Sequence, residues 1–193
     1  MKEVSSAESA IHFRREFDHI RAMPQSLSKV IVHVVFGTKD REPWLDSNVR
    51  TRMHGYLATI CRDLGAELVH VGGMSDHVHI VMTLPRTLSQ AQFIEHIKKV
   101  SSKWIKGLDM RYRGFFWQRG YGAFSVSPSQ LDSVLVYVNK QQEHHRTHSF
   151  QEEYRALLRK HGVDFDERHV RRAELNRAFS AYAWYDRMPG ALP

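Results

Sequence analysis

The 193-residue chain is poor in cysteine and has no long apolar run. Cys61 is its only cysteine, which excludes an internal disulfide framework and a zinc cluster built from cysteines. No hydrophobic run approaches the roughly 18 residues that a transmembrane helix needs. Residues 1–22 are polar and lack the apolar segment of a secretory signal peptide. The sequence therefore predicts a cytoplasmic protein that has no membrane partner.

The chain has fewer acidic than basic residues. The chain has 28 Lys and Arg against 21 Asp and Glu, which gives a formal net charge of +7 and a pI of about 9.7. Such a balance favours a polyanionic partner, most simply nucleic acid. Many basic proteins bind no specific anion, so charge alone leaves the partner open. The length fits one domain, and a hydrophobic content of 42% is enough for a core.

Hydrophobic periodicity predicts the element order β-α-β-β-α-β-α. The predicted segments are a buried strand at 29–39, a helix at 46–65, a hairpin of strands 66–73 and 77–84, a helix at 89–106, a hairpin or a strand with an irregular lead-in at 114–127, a helix from Pro128 to about His145, and short helices at 150–161 and 167–186. This order is typical of the α+β class. It indicates a ferredoxin-like (split β-α-β) antiparallel sheet with helices on one face, followed by a further C-terminal helix.

The stretch "SDHVHIVMTL" contains two histidines, His77 and His79, inside a predicted strand. Alternate strand residues point to the same face, so both imidazoles can bind one metal ion. A pair of hydrogen-bonded surface histidines explains the pattern equally well. Asp76 comes just before the pair, where it can orient His77 or simply cap the turn.

The predicted third helix carries Tyr137 and Gln141 four residues apart, beside its apolar stripe. Residues at this spacing lie one above the other on a helix. Taken singly, the tyrosine predicts a packing residue with its hydroxyl at the surface, and the glutamine predicts a solvated side chain. The combination of paired strand histidines with a helical Tyr-x-x-x-Gln in a basic chain is more specific than either part.

With these residues the sequence resembles the single-tyrosine HUH transposases of the insertion sequence 200/605 group and their REP-associated relatives. HUH denotes His-hydrophobe-His, here HVH, and the resemblance runs from about Met23 to His169. The matching strings are "DHVHIV", "FWQRGYGAFSVSPSQ", "YVNKQQEHH" and "HSFQEEYRALLRKHGVDFDE". The resemblance implies that Tyr137 is the catalytic nucleophile. It also implies that His77, His79 and Gln141 bind a divalent ion, Mg²⁺ or Mn²⁺.

The implied reaction is ATP-independent cleavage and rejoining of single-stranded DNA through a 5′-phosphotyrosine. A cation held by two imidazoles and an amide oxygen keeps its charge, since we expect no carboxylate beside it, and can stabilise the leaving 3′ oxygen. The resemblance also divides the chain into a weakly ordered N-terminal extension (1–22), a catalytic domain (23–148) and a helical C-terminal tail (149–193).

The implied partner is single-stranded DNA that forms imperfect hairpins. The predicted DNA contacts are Lys98, Lys99, Lys103, Lys106, Arg111, Arg113 and Arg119. Neighbouring aromatics such as Phe116 can stack on bases, although core packing is the commoner role. The family includes homodimers that exchange the tyrosine helix and monomers, and a homodimer is the first expectation. The strand within 29–36 can pair with a second subunit or lie centrally in its own sheet.

Three other functions fit parts of the sequence. A histidine-triad nucleotide hydrolase carries a third histidine where this chain has Val81. A noncatalytic RNA-binding module can use a ferredoxin-like sheet, but it stacks bases on strand aromatics that the His-bearing strand does not offer. A domesticated relative that binds hairpin DNA with little transposition activity also agrees with the motifs.

Overall fold

The computed structural model describes residues 28–147, 149–167 and 170. Its strands are β1 (Ile31–Gly37), β2 (Glu67–Gly73), β3 (His77–Thr83) and β4 (Gly122–Ser125). Its helices are α1 (Ser47–Asp63), α2 (Gln90–Lys106), α3 (Leu131–Asn139), α4 (Gln141–His144) and α5 (Phe150–Lys160). Short 3-10 turns lie at Lys39–Arg41, Met110–Gly114 and Pro128–Gln130. None of the helices in these described ranges has the length and hydrophobicity of a membrane span.

The four strands form one antiparallel sheet in the order β2-β3-β1-β4. This is the split β-α-β arrangement, and the predicted α+β fold is confirmed. β1 is hydrogen-bonded to β3 on one side and to β4 on the other. It is therefore a central strand, and it has no free edge with which to pair with a second subunit.

Helix boundaries follow from local capping chemistry. The Asp46 side chain accepts hydrogen bonds from the backbone amides of Asn48 and Val49 at the start of α1. Capping boxes start α2, where Ser89 pairs with Gln92, and α5, where Ser149 pairs with Glu152. Each cap satisfies amide groups that the first helical turn leaves without partners.

The two faces of the sheet carry different layers. One face holds alternate apolar residues of β1 and β3, which pack against α1 and α2 as predicted; this core includes Val34, Phe36, Ile80, Met53, Leu57, Phe93 and Ile97. The opposite face is covered by the C-terminal helices. Val138 of α3 packs with Ile31 and Val81, while Leu158 of α5 packs with Val35 and Phe124. β1 and β3 are consequently buried on both faces.

Two segments differ in detail from the sequence-based predictions. The third helix does not run unbroken to His145, because Lys140 leaves helical geometry (φ −88°, ψ 13°) and separates α3 from α4. The 114–127 segment forms a strand with an irregular lead-in, in which Trp117 bridges to Thr38 before β4 begins. The core burial expected for its aromatics holds for Phe115 and Trp117, whereas Phe116 is 50% exposed.

Several predictions fall on residues outside the described part of the chain. These are the extension at 1–22 and nearly all of the helix at 167–186. The domain boundaries at 22 and 148 remain predictions. Nevertheless α5, which was assigned to the tail, packs directly on the sheet.

Gly72 on β2 provides a test of how α3 is seated. A Cβ at this position would lie 2.6 Å from Val138 Cγ1 and 3.1 Å from the Val138 carbonyl oxygen. Gly72→Ala is therefore expected to lower the free energy of unfolding by about 1–3 kcal/mol through overpacking. Urea unfolding measures this loss. The control is Gly55→Ala in α1, where nothing lies within 4 Å of the new methyl; a loss of equal size there would contradict the proposed contact.

Candidate active site

His77 and His79 lie on the face of β3 that the C-terminal helices cover. Both side chains are fully buried, and their ring centroids are 5.0 Å apart. Burial lowers the pKa of both imidazoles, and for His79 the charge of His77 acts in the same direction. Both rings are consequently neutral near pH 7, which is the form that binds metal ions.

Asp76 and Arg41 fix the orientation of His77. Asp76 Oδ1 lies 2.8 Å from His77 Nδ1, and because a carboxylate only accepts hydrogen bonds, Nδ1 carries the proton. Burial alone would raise the pKa of Asp76, but the His77 hydrogen bond and the Arg41 charge bring it below its ordinary value. Arg41 donates to the Asp76 side chain and to its carbonyl oxygen, and its guanidinium lies 3.6 Å from the centroid of the Phe150 ring. The Nε2 lone pair of His77 is thus directed into the site.

His79 is oriented by a third histidine that the sequence analysis assigned no role in the site. His33 on β1 places its Nε2 2.9 Å from His79 Nδ1. Burial lowers the pKa of His33 to about 4, so this is a contact between two neutral rings. His79 Nε2 has no hydrogen-bond partner among the described residues. A buried nitrogen in this condition is costly unless something else binds it.

The residues predicted on the third helix meet the histidine pair within one chain. Gln141 is buried at the start of α4, and its Oε1 lies 3.3 Å from His77 Nε2. Tyr137 on α3 is half-buried, and its ring centroid lies 6.0 Å from that of His79. His144 contacts the Tyr137 ring. The two helices therefore bring a phenol and an amide to the same side of β3.

Glu153 of α5 lies at the centre of the site, and sequence reasoning missed it. Its Oε1 accepts hydrogen bonds from the Tyr137 hydroxyl and, at 2.7 Å, from Gln141 Nε2. Its Oε2 lies 3.0 Å from His145 Nε2. Burial alone would raise the pKa of Glu153, but its contacts with His145, His79 and the Tyr137 hydroxyl bring it below its ordinary value. The expectation of a site without a carboxylate is therefore wrong.

The apolar pattern of α5 contains a signal that could have revealed Glu153. Phe150, Tyr154, Leu157 and Leu158 form the stripe that faces the sheet, and Glu153 occupies the i+3 position of that stripe. A carboxylate on a buried helical stripe needs partners. The sequence pattern could therefore have marked it as a site residue.

The donor set fits a divalent cation. Ligand atoms of His77, His79 and Glu153 all lie within 4.8 Å of one another, and the Gln141 amide oxygen adjoins them. The free Nε2 of His79 is the strongest local indication, because a metal ion would satisfy it. Imidazole nitrogens combined with amide or carboxylate oxygens are donor types that bind divalent ions.

The predicted DNA-contact residues divide into two groups. Lys98 is turned inward, where its Nζ donates to the carbonyl oxygens of Gln118 and Gly120, and burial lowers its pKa to about 8. Lys106 is half-buried with its Nζ 3.4 Å from the Phe116 ring centroid. The exposed members of the set are Lys99, Lys103, Arg111, Arg113 and Arg119.

The hydrogen bond between Asp76 and His77 supports a specific prediction. Asp76→Asn keeps the size of the side chain but removes the charge that fixes the His77 tautomer. We expect Mn²⁺ affinity to fall by about 10–100-fold, the range found when partners of ligating histidines are changed. Isothermal titration calorimetry measures this, with Asp63→Asn on the exposed end of α1 as control. Unchanged affinity in Asp76→Asn would exclude a role for the Asp76 charge.

Comparison with known proteins places the chain in a family. The model of the family described as "Transposase IS200 like" matches residues 26–141. The transposases for insertion sequence element IS200 of Salmonella typhimurium and Salmonella typhi are each 25% identical over 116 residues, which cover 58% of this chain and 76% of theirs.

Two solved structures are also similar. One, from Deinococcus radiodurans R1 and described as a transposase, has 22% identity and a TM-score of 0.49, covering 61% of this chain and 95% of that one. The other is a REP-associated tyrosine transposase bound to a REP hairpin, with 16% identity, a TM-score of 0.49, and coverage of 63% and 72%. Since the family model spans more than half of the sequence, the chain belongs to the IS200-like transposases.

Proposed function

We propose that this transposase cleaves and rejoins single-stranded DNA at hairpin-marked ends, with Tyr137 as the nucleophile. The observation that carries the proposal is the convergence of the Tyr137 hydroxyl, the Gln141 amide and the two histidines at one buried site. In a member of a transposase family, a phenol beside a candidate cation site is the arrangement that covalent phosphodiester chemistry needs.

The cleavage step transfers the DNA phosphate to the protein. The Tyr137 oxygen forms a bond to phosphorus while the bond from phosphorus to the 3′ oxygen breaks. The proton lost by the phenol is balanced by the proton gained by the new 3′-hydroxyl. The product is a 5′-phosphotyrosine whose energy is close to that of the original ester, so a second 3′-hydroxyl can reverse the step on another strand without ATP.

His77, His79 and Gln141 would hold Mg²⁺ or Mn²⁺, which when bound would offset negative charge on the phosphate and on the leaving oxygen. The protein itself orients the reacting groups and limits the access of water to them. Burial and the nearby Glu153 charge raise the pKa of Tyr137 well above its ordinary value. The resting phenol is therefore protonated, and it loses its proton as its oxygen bonds to phosphorus.

The proposed partner is single-stranded DNA with imperfect hairpins. The net charge of +7 and the exposed cations on α2 and in the 111–119 segment support a polyanionic ligand. The predicted nucleophile and the three predicted metal ligands converge within a single chain, which supports catalysis by one subunit. A homodimer then has no need to exchange the tyrosine helix.

An RNA-recognition module is less compatible with this architecture. Such modules stack bases on an open sheet face, but helices cover both faces of the sheet in the described part of the chain. The domesticated alternative differs in activity rather than in architecture, and the assay below separates it from a working transposase.

The test uses labelled single-stranded DNA containing the hairpin ends of the element, incubated with the protein and Mg²⁺ or Mn²⁺. A denaturing gel is expected to show a protein–DNA adduct of reduced mobility that resists heat and detergent. EDTA is expected to abolish the adduct. Hairpin binding in a native gel without any adduct would support the domesticated relative instead.

A further inference from the structure

We propose that Glu153 is a positioning residue that selects which atom of Gln141 faces the histidine pair and that holds Tyr137 beside it. This inference rests on the proposed function and deepens it. Glu153 comes from α5, an element outside the matched range of the family model, which ends at residue 141. The site would then depend on a helix that follows both the nucleophile and the amide in the chain.

The amide of Gln141 can face the histidines in two ways, and only one of them binds a cation. Its oxygen can coordinate a metal ion, whereas its NH₂ group only donates hydrogen bonds. Glu153 Oε1 accepts from Gln141 Nε2 at 2.7 Å, and the opposite side of the amide then places Oε1 3.3 Å from His77 Nε2. Because the NH₂ group donates to Glu153, the amide is held with its oxygen towards the histidines.

The same carboxylate oxygen fixes the nucleophile. Glu153 Oε1 also accepts the hydrogen bond of the Tyr137 hydroxyl, so one atom ties together residues from α3 and α4, which are separated by the break at Lys140. The Tyr137 hydroxyl and the Gln141 amide also interact directly, so the shared acceptor adds a second link between the two helices.

The contacts of Glu153 favour positioning over direct coordination of the ion. Oε1 already accepts from two donors, whereas Oε2 is 3.0 Å from His145 Nε2 without forming a hydrogen bond of regular geometry among the described residues. Its oxygens are 3.6 Å from His79 Nε2 and 3.9 Å from His77 Nε2. Gln141 Oε1 is nearer to His77 than either carboxylate oxygen is to a histidine of the pair.

α5 is held firmly enough to act in this way. The Ser149–Glu152 capping box fixes its start, and Leu158 is buried with Val35 and Phe124 further along. Phe150 lies under the Arg41 guanidinium, so the helix also contacts the group that orients His77. These anchors on both sides of Glu153 set the position of its carboxylate.

The first experiment measures Mn²⁺ affinity by calorimetry. Glu153→Met removes both oxygens at similar size and is expected to weaken binding by about 10–100-fold. Glu153→Gln keeps an oxygen acceptor for Gln141 and Tyr137, while its NH₂ group can donate to His145, so affinity within about threefold of the parent is expected. Glu143→Met, on the exposed surface of α4, controls for the substitution itself.

The design separates positioning from ligation by the ion. If Glu153 acts through Gln141, the double variant Gln141→Ala/Glu153→Met binds Mn²⁺ no more weakly than Gln141→Ala alone. Additive losses, or a Glu153→Gln variant as weak as Glu153→Met, would overturn the inference, because both indicate direct coordination or a requirement for charge. If Glu153→Met does not fold, Glu153→Gln alone tests the inference. Mn²⁺ binding by Glu153→Gln that is more than tenfold weaker than that of the parent rejects it.

A second experiment needs no metal and therefore distinguishes the two proposals. Urea midpoints are measured for Tyr137→Phe, Glu153→Met and the double variant. A double variant with the midpoint of Glu153→Met supports the contact, and additive shifts reject it. Failure of the proposed function would instead appear as a parent protein that forms no DNA adduct and binds no Mn²⁺, with the stability coupling intact.

Discussion

Replacing Tyr137 with phenylalanine is expected to abolish the covalent attachment of single-stranded DNA. The substitution removes one oxygen, the atom proposed to attack phosphorus, and leaves the ring in its contacts with His33, His79 and His144. If Tyr137 is the nucleophile as proposed, the rate of adduct formation should fall by at least about 10³-fold, as it does when a covalent nucleophile is removed from other enzymes.

Binding should survive this change. Hairpin recognition is assigned to exposed basic residues away from Tyr137, so the dissociation constant for hairpin DNA is expected to stay within about twofold of the parent value. Denaturing gels report the adduct and native gels report binding. Tyr56→Phe, which alters a tyrosine stacked on Trp104 in the α1–α2 layer, is the matched control. An adduct of normal yield in Tyr137→Phe would assign the chemistry to another residue.

Replacing His79 with alanine is expected to have the largest effect on metal binding. His79 Nε2 is buried without a hydrogen-bond partner among the described residues, so the tautomer in which Nδ1 donates to His33 leaves the Nε2 lone pair available to an ion. Removing a ligand should weaken metal binding more than changing a ligand's hydrogen-bond partner does, which costs roughly 10–100-fold in affinity. We therefore expect Mn²⁺ affinity to fall by more than about 100-fold, together with loss of the DNA adduct.

The control for His79→Ala is His70→Ala. His70 lies on β2 in register with Val81 and is only partly buried, so the same change there should leave Mn²⁺ affinity near the parent value. Calorimetry of both variants gives the comparison, and circular dichroism verifies that each is folded. Equal affinities for the parent and His79→Ala would exclude this histidine as a ligand.

The nucleophile and the three metal ligands could be predicted from the sequence because each depends on local spacing along the chain. Strand alternation places His77 and His79 on one face, and helical spacing places Tyr137 above Gln141. The resemblance to a known family then linked the two motifs. Neither argument needed the packing of distant elements.

The remaining site residues depend on packing that local patterns do not encode. His33 reaches His79 because β1 pairs with β3, and residues 46 apart in the chain come together only in the folded sheet. Arg41 lies in a turn in which both Asp40 and Arg41 itself have positive φ. Nothing in the sequence indicates this conformation. Glu153 was the exception, since its place on an apolar stripe was visible but was not recognised.

Local sequence patterns likewise predict part of the fold and leave the rest undetermined. Element order and most boundaries follow from periodicity and caps, as at Asp46 and Ser89. Periodicity does not state which face of the sheet a later helix covers. The seating of α3 depends on Gly72, where a missing side chain makes room for Val138, and that complementarity exists only between the two folded elements.

The burial of β1 and β3 on both faces has a consequence for how this protein can change. Water reaches neither side of these strands, so the three imidazoles at positions 33, 77 and 79 are solvated by protein groups alone. Replacing His33 or His79 leaves a ring nitrogen of the other without its hydrogen-bond partner. Substitutions at these positions are therefore coupled. In related sequences, a change at one of these histidines should be accompanied by a change at its partner.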